Sequence, residues 1–160
     1  MTLAFVTSRV RVEEKLLLAA LEARGAAVER VDDARLRLDL TSREPAPWTA
    51  VWNRSLAFGR TLYATRALEA RGALCVNSGD VVATSGDKAL TSAALASHGV
   101  PTLRTTVAFT PESALEACEE YGYPCVLKPV VGSWGRLVAR LDTPAAAEAV
   151  LEDRAVLGSW

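Results

Sequence analysis

The chain has 160 residues, among them one histidine, one methionine and three cysteines. With a single imidazole, His98, and no CxxC pair among Cys75, Cys118 and Cys125, a zinc site lacks a ligand set. The odd, scattered thiols read as free and buried. That is the state a reducing cytosol favours, so the chain is expected to be cytoplasmic. His98 stands just before Gly99 and reads as a helix-terminal residue favoured by the dipole. No apolar run approaches the ~20 residues of a membrane span. The N-terminal stretch lacks the basic-then-apolar layout of a secretion signal. The net charge is −1 and no basic stripe exists, which argues against a nucleic-acid partner. GxxxxGKS/T is missing, so there is no P-loop. No GxGxxG follows the first strand, so a dinucleotide fold has no support. Without GxSxG, His98 has no evident nucleophile to serve.

What is present is a globular composition, 50% hydrophobic and 23% charged. A chain of this size buries roughly 70% of its unfolded surface, enough for a real core. The first half alternates strand and helix. Strands are expected at Thr2–Thr7, Ala27–Asp32, Ala50–Asn53 and Leu74–Asn77. Helices are expected at Glu13–Arg24, with Leu16, Leu17, Ala20 and Leu21 inward, and at Gly59–Arg71, with Leu62, Ala64, Thr65 and Leu68 inward. That order predicts a parallel sheet with helices on its faces, whose ligands gather at the carboxyl ends of the strands. The rhythm changes after Asn77. The polar run Ser78–Lys88, with a short helical turn, is the expected boundary. Beyond it come a helix (Ala89–His98), a strand (Thr105–Phe109), a helix (Glu112–Tyr121), strands (Pro124–Lys128 and Leu137–Leu141) and a helix (Ala145–Leu151). Thr110-Pro111 and Thr143-Pro144 open two of these helices, threonine capping and proline losing no bond. The second region is thus α+β.

Lysine is the scarcest charge. Of eighteen Lys and Arg residues only three are lysine: Lys15, Lys88 and Lys128. Lys15 sits on the polar face of a helix and needs no special reason. Lys88 follows Gly86-Asp87, and Asp87 is a natural N-cap. A cation in that first turn opposes the helix dipole by about 0.3–1 kcal/mol. A bound phosphate would reverse the sign; the ordinary alternative is a solvated surface lysine. Lys128 ends an apolar strand, with Pro129 next, and offers a point charge suited to phosphate. Its ordinary alternative is a snorkelling edge lysine. The loop Val130-Val131-Gly132-Ser133-Trp134-Gly135-Arg136 follows, its glycines free to turn N–H groups toward an anion. A tight hairpin also contains such glycines. The succession of strand, Lys-Pro, glycine loop and strand is more specific than any part.

These residues resemble the ATP-grasp superfamily, and within it the LysX-type ligases of amino-acid biosynthesis, relatives of the RimK-type glutamate ligases. The matching segments are Val82-Ala-Thr-Ser-Gly-Asp-Lys88, Tyr121-Gly-Tyr-Pro-Cys-Val-Leu-Lys-Pro129 and Val131-Gly-Ser-Trp-Gly-Arg-Leu-Val138. Gly-Ser-Trp-Gly-Arg is the most discriminating of them. The resemblance implies an α/β fold: a parallel-sheet pre-ATP-grasp domain at residues 1–86, then a first, incomplete α+β ATP-grasp subdomain at 87–160. It implies that Lys88 and Lys128 contact ATP phosphates, and that Gly132, Ser133, Trp134, Gly135, Arg136, Leu137 and Val138 form the lid over them. The implied chemistry is ATP-dependent activation of a carboxylate as an acylphosphate, which an amine then attacks, with Mg²⁺ dispersing phosphate charge. The carboxylate is the C-terminal glutamate of a small acidic amino-carrier protein. The amine belongs to 2-aminoadipate or glutamate. Arg9, Arg54 and Arg60 are the candidates to face acidic groups of the substrate; their ordinary alternative is an exposed surface arginine. Family members continue past this point to the metal-binding residues. The expectation is therefore a chain without its own Mg²⁺ ligands and without ligase activity alone. A non-catalytic nucleotide-binding or interaction module is the alternative. An exposed sheet edge would also favour homo-oligomers.

Overall fold

The protein is described by a computed structural model covering residues 2–132 and 134–157. It divides into two compact units, Met1–Ala83 and Thr84–Trp160. In the first unit four strands lie parallel in the order β2-β1-β3-β4. They are β1 (Leu3–Thr7), β2 (Val28–Asp32), β3 (Ala50–Arg54) and β4 (Leu74–Val76). Helix α1 (Val12–Glu22) carries the chain from β1 to β2, and α2 (Phe58–Glu69) from β3 to β4. The expected β-α-β alternation is thus what forms.

β1 is hydrogen-bonded on both edges, and its Ala4, Phe5 and Val6 have no exposed surface. A central parallel strand covered on both faces needs a continuous apolar run, and Leu3–Val6 supplies one. Ala4 and Val6 pack with Trp48, Val51, Leu68, Ala73 and Cys75 in one core. Phe5 alternates away from them, its ring tilted against Trp52 at 6.2 Å. The sheet order reverses between β1 and β3, so the loops after those strands flank the switch point.

α1 departs from expectation on its inward face. Leu16 is 67% exposed, while Leu17, Leu18 and Leu21 are half-buried and Glu14 is fully buried. The inward stripe therefore runs through positions 14, 17, 18 and 21, with a carboxylate at its head. Arg11 makes that position tolerable. Its Nε and Nη2 donate to Glu14 Oε2 and Oε1, each at 2.8 Å, and Arg54 Nη2 donates to Oε1 at 3.0 Å. A buried charge is retained only with partners of this quality.

In the second unit, helix α4 (Lys88–Ser97) follows α3 (Gly79–Gly86), which contains the point of division. Helix α5 (Pro111–Tyr121), a two-stranded antiparallel ribbon of β5 (Cys125–Leu127) and β6 (Ala139–Leu141), and α6 (Pro144–Leu157) complete it. Cys118, Leu141 and Ala147 are its buried core, with Leu115, Cys125 and Leu127 against them. Thr110 Oγ1 accepts from Ser113 N at 3.1 Å, and Thr143 Oγ1 from Ala146 N at 3.2 Å, so both Thr-Pro openings cap as expected.

Two strand expectations change here. Residues 101–108 form no strand, because among the described residues nothing pairs with them; Leu103 and Phe109 are left 79% and 85% exposed. β6 begins at Ala139 rather than Leu137. Continuing the register Leu127↔Ala139 would set Leu137 against Pro129, which has no N–H to donate, and Leu137 instead has φ +57°.

The Arg11 hydrogen bonds, with those of Arg54, pull the Glu14 carboxyl from the usual 4.5 down to about 2. A depressed carboxyl pKa stabilises the fold above the unfolded value, and that contribution is lost as pH falls through the folded one. Stability to urea is therefore expected to fall between about pH 4.5 and 2. Glu14→Gln is expected to flatten that slope and to cost roughly 3 kcal/mol at neutral pH, the lower end for breaking a buried pair. An unchanged slope in Glu14→Gln would refute the assignment.

Candidate functional site

Asp87 adopts an extended backbone, and its Oδ1 accepts from Leu90 N at 2.9 Å, the expected N-cap. Lys88 is the first helical residue of α4. Its backbone N–H donates to Val130 O at 2.9 Å, and Asp87 bridges Val131 in antiparallel fashion. The helix start is thereby fastened to the segment that leaves Lys128. The Lys88 ammonium completes the contact, donating from Nζ to Gly132 O at 2.7 Å. A cation placed against the dipole has taken a loop carbonyl as its partner.

Lys128 lies just beyond the end of β5, exposed, and makes no hydrogen bond or ion pair among the described residues. Gly132 has φ +153°, and a Cβ there would sit 3.3 Å from Pro129 Cγ, so a side chain is disfavoured by the backbone and crowded by the proline. Gly135 has φ +66°. Trp134 and Leu137 also take left-handed angles, φ 62° and 57°, costly for residues with a Cβ. Val138 N donates weakly to Gly135 O at 3.4 Å, while the amides of Trp134, Gly135, Arg136 and Leu137 find no acceptor among the described residues. Arg136 is exposed and Trp134 is 76% exposed. Ser133, an expected member of this loop, lies outside the described residues. Two ammonium groups beside a glycine-containing turn are donors of the kind that can take an anion with several oxygens.

Of the three candidate arginines, Arg9 follows β1, Arg54 is the last residue of β3 and Arg60 lies in the first turn of α2. Arg54 is bound to Glu14. Arg60 donates to Asp33 Oδ1 at 3.2 Å, and Ser8 Oγ donates to Asp33 Oδ2. Arg9 is exposed and has no ion pair among the described residues. It follows Ser8, whose Oγ accepts from Leu56 N at 3.0 Å, so the loops after β1 and β3 are joined at the switch point. Ser55, one residue before Leu56, keeps a buried Oγ with no partner in the described structure.

Cys75 and Cys118 are not reactive thiols. Burial pushes both Cys75 and Cys118 up to about 11, and all three cysteines are free, two buried and Cys125 half-buried. Among the described residues no three His, Cys, Asp or Glu side chains gather to hold a metal ion. Two contributors escaped the sequence reading. Glu14 carries no signal, since acids commonly open helices. Arg154 of α6 is buried, and its Nη2 donates to Leu137 O. Its position on the stripe of Ala147 and Leu151 was the available sign.

A parallel-sheet unit followed by a helix-start lysine, a second lysine and a glycine loop between paired strands is the front of an ATP-grasp protein. The chain belongs to the LysX preATP-grasp domain family, which matches residues 3–84. It is 32% identical to the glutamate–LysW ligase ArgX of Sulfurisphaera tokodaii, over 99% of this chain and 56% of that protein. It is 37% identical to the α-aminoadipate–LysW ligase LysX of Saccharolobus solfataricus, over 56% of this chain and 32% of that one. The RimK domain ATP-grasp protein of Sphaerobacter thermophilus superposes with a TM-score of 0.86 at 31% identity, over 99% of this chain and 60% of that one. The chain thus spans about half the length of the curated relatives it matches.

Alanine at the two loop glycines tests the loop geometry. Gly135→Ala meets open space and is expected to cost about 1 kcal/mol of urea stability for its left-handed backbone. Gly132→Ala is expected to cost more, because its Cβ also meets Pro129. Negligible loss in both would show that the loop does not hold this shape.

Proposed function

We propose that this chain forms the phosphate-binding front of an ATP-dependent carboxylate–amine ligase. The ligase joins glutamate or 2-aminoadipate to the C-terminal glutamate of a small acidic amino-carrier protein through an acylphosphate. Residues 1–86 act as the pre-ATP-grasp domain and 87–160 as the first part of the ATP-grasp domain. The observation that carries the reading is the Lys88 ammonium set on Gly132 O, in the loop that directly follows Lys128. Relatives matched along nearly the whole chain are named as LysW ligases, which supports the substrate classes.

In this reading Lys88 and Lys128 bind the triphosphate and offset the charge that builds as the terminal phosphoryl group moves to the carboxylate. The backbone of the turn Trp134–Leu137 orients its oxygens, and Gly132 to Val138 exclude water above them. The exposed Arg136 adds a guanidinium fork. Arg9, at the switch point, is the cation free to meet a substrate carboxylate. Arg54 and Arg60, held by Glu14 and Asp33, frame that position.

Isothermal titration of the chain with Mg-ATP tests this. Lys88→Ala and Lys128→Ala are each expected to weaken binding at least tenfold, a loss of about 1.4 kcal/mol or more. Wild-type affinity in both variants would overturn the phosphate assignment.

A further inference from the structure

We infer that Arg154 is the positioning residue of the glycine loop, holding its return end in a left-handed turn and out of the β-ribbon. Arg154 occupies a core position. Ala147, Leu151 and Arg154 recur along the inward stripe of α6, at 0%, 2% and 8% exposure. Arginine is rarely buried so far unless paired with an acid. Here no ion pair forms among the described residues, and Nη2 instead donates to the carbonyl of Leu137, 17 residues earlier.

That carbonyl belongs to the residue at which the sequence expects β6 to begin. Leu137 precedes the β-prone Val138 and the first strand residue Ala139, yet it sits at φ +57°. Pro129 removes the ladder bond that would draw Leu137 into the ribbon. The guanidinium supplies the alternative, a charged donor to the Leu137 carbonyl in its left-handed turn. The loop is then held by cations at both ends, Lys88 on Gly132 O and Arg154 on Leu137 O. Between these anchors the amides of Trp134–Leu137 have no internal acceptor among the described residues. Releasing the Arg154 anchor frees Leu137 to extend, and the turn that shapes the loop is lost. The consequence for nucleotide affinity rests on the phosphate reading above; the consequence for loop shape does not.

Trypsin reads this directly, because Arg136 precedes the anchored residue and cleavage at a folded site tracks local opening. In the ligand-free chain, Arg154→Met is expected to raise cleavage of the Arg136–Leu137 bond at least tenfold. Cleavage after Arg66 in α2 and Arg140 in β6 should stay at the wild-type rate. Arg154→Lys keeps one charged donor and should remain within about threefold of wild type. Unchanged cleavage after Arg136 in Arg154→Met would overturn the proposal. So would a rise matched at Arg66 and Arg140, which would make Arg154 a support of the fold alone. Titration with Mg-ATP is the second arm: Arg154→Met should bind at least tenfold more weakly and Arg154→Lys within threefold. If wild type shows no Mg-ATP binding, the phosphate reading fails, while the positioning role is still decided by the ligand-free digestion.

Discussion

The second unit is organised by one junction, where the first residue of a helix is hydrogen-bonded through backbone and side chain to the segment leaving β5. Asp87 caps the helix, Lys88 N–H takes Val130 O, and Lys88 Nζ takes Gly132 O. Without these bonds Lys128 and the loop would belong to a ribbon of only two short strands, which is marginal by itself. With them the loop has a fixed origin. Gly132 can leave the junction because it alone tolerates φ +153° beside Pro129.

The same molecule divides its cations by chemistry. Arginines do the framing: Arg11 and Arg54 hold Glu14, Arg60 holds Asp33, Arg66 pairs Asp80, and Arg71 ties the carbonyls of Glu44 and Pro45. A planar fork with several fixed donors suits such permanent contacts. The lysines stand outside this frame. Lys15 and Lys128 have no partner among the described residues, and Lys88 has only a neutral carbonyl. Lys88 and Lys128 thus lie beside the loop without a carboxylate partner among the described residues.

Much of this was legible from local rules. The alternation of strand and helix, the Thr-Pro openings, the Asp87 cap and the lysine–glycine sequence are short-range signals, and they form as read. What was not legible is decided at long range. Glu14 is inward because Arg11 and Arg54 reach it, the second from 40 residues away. Thr105–Phe109 has the composition of a strand, but a strand exists only with a partner, and none of the described residues provides one. The start of β6 was misread because the pattern from Leu137 is sound on its own; Pro129 across the ribbon and Arg154 beneath it override the pattern. Buried arginine is the hardest case, since periodicity treats it as a polar interruption of an apolar stripe.

Partner chemistry also sorts which of these cations a ligand can win. Arg54 and Arg60 face carboxylates that sit at 0% and 2% side-chain exposure. An incoming anion would have to displace a full, buried negative charge, and would strand it without a counter-ion. Lys88 faces a carbonyl dipole, which binds an ammonium but neutralises nothing. A phosphate oxygen carries charge where the carbonyl carries only a partial one, so exchange from Gly132 O to phosphate gains Coulomb energy and leaves behind a loop carbonyl that water can solvate. The ligand-free site is thus ordered by contacts weak enough to be surrendered. In the proposed phosphate role the donors are held in place beforehand, with their charge still unspent.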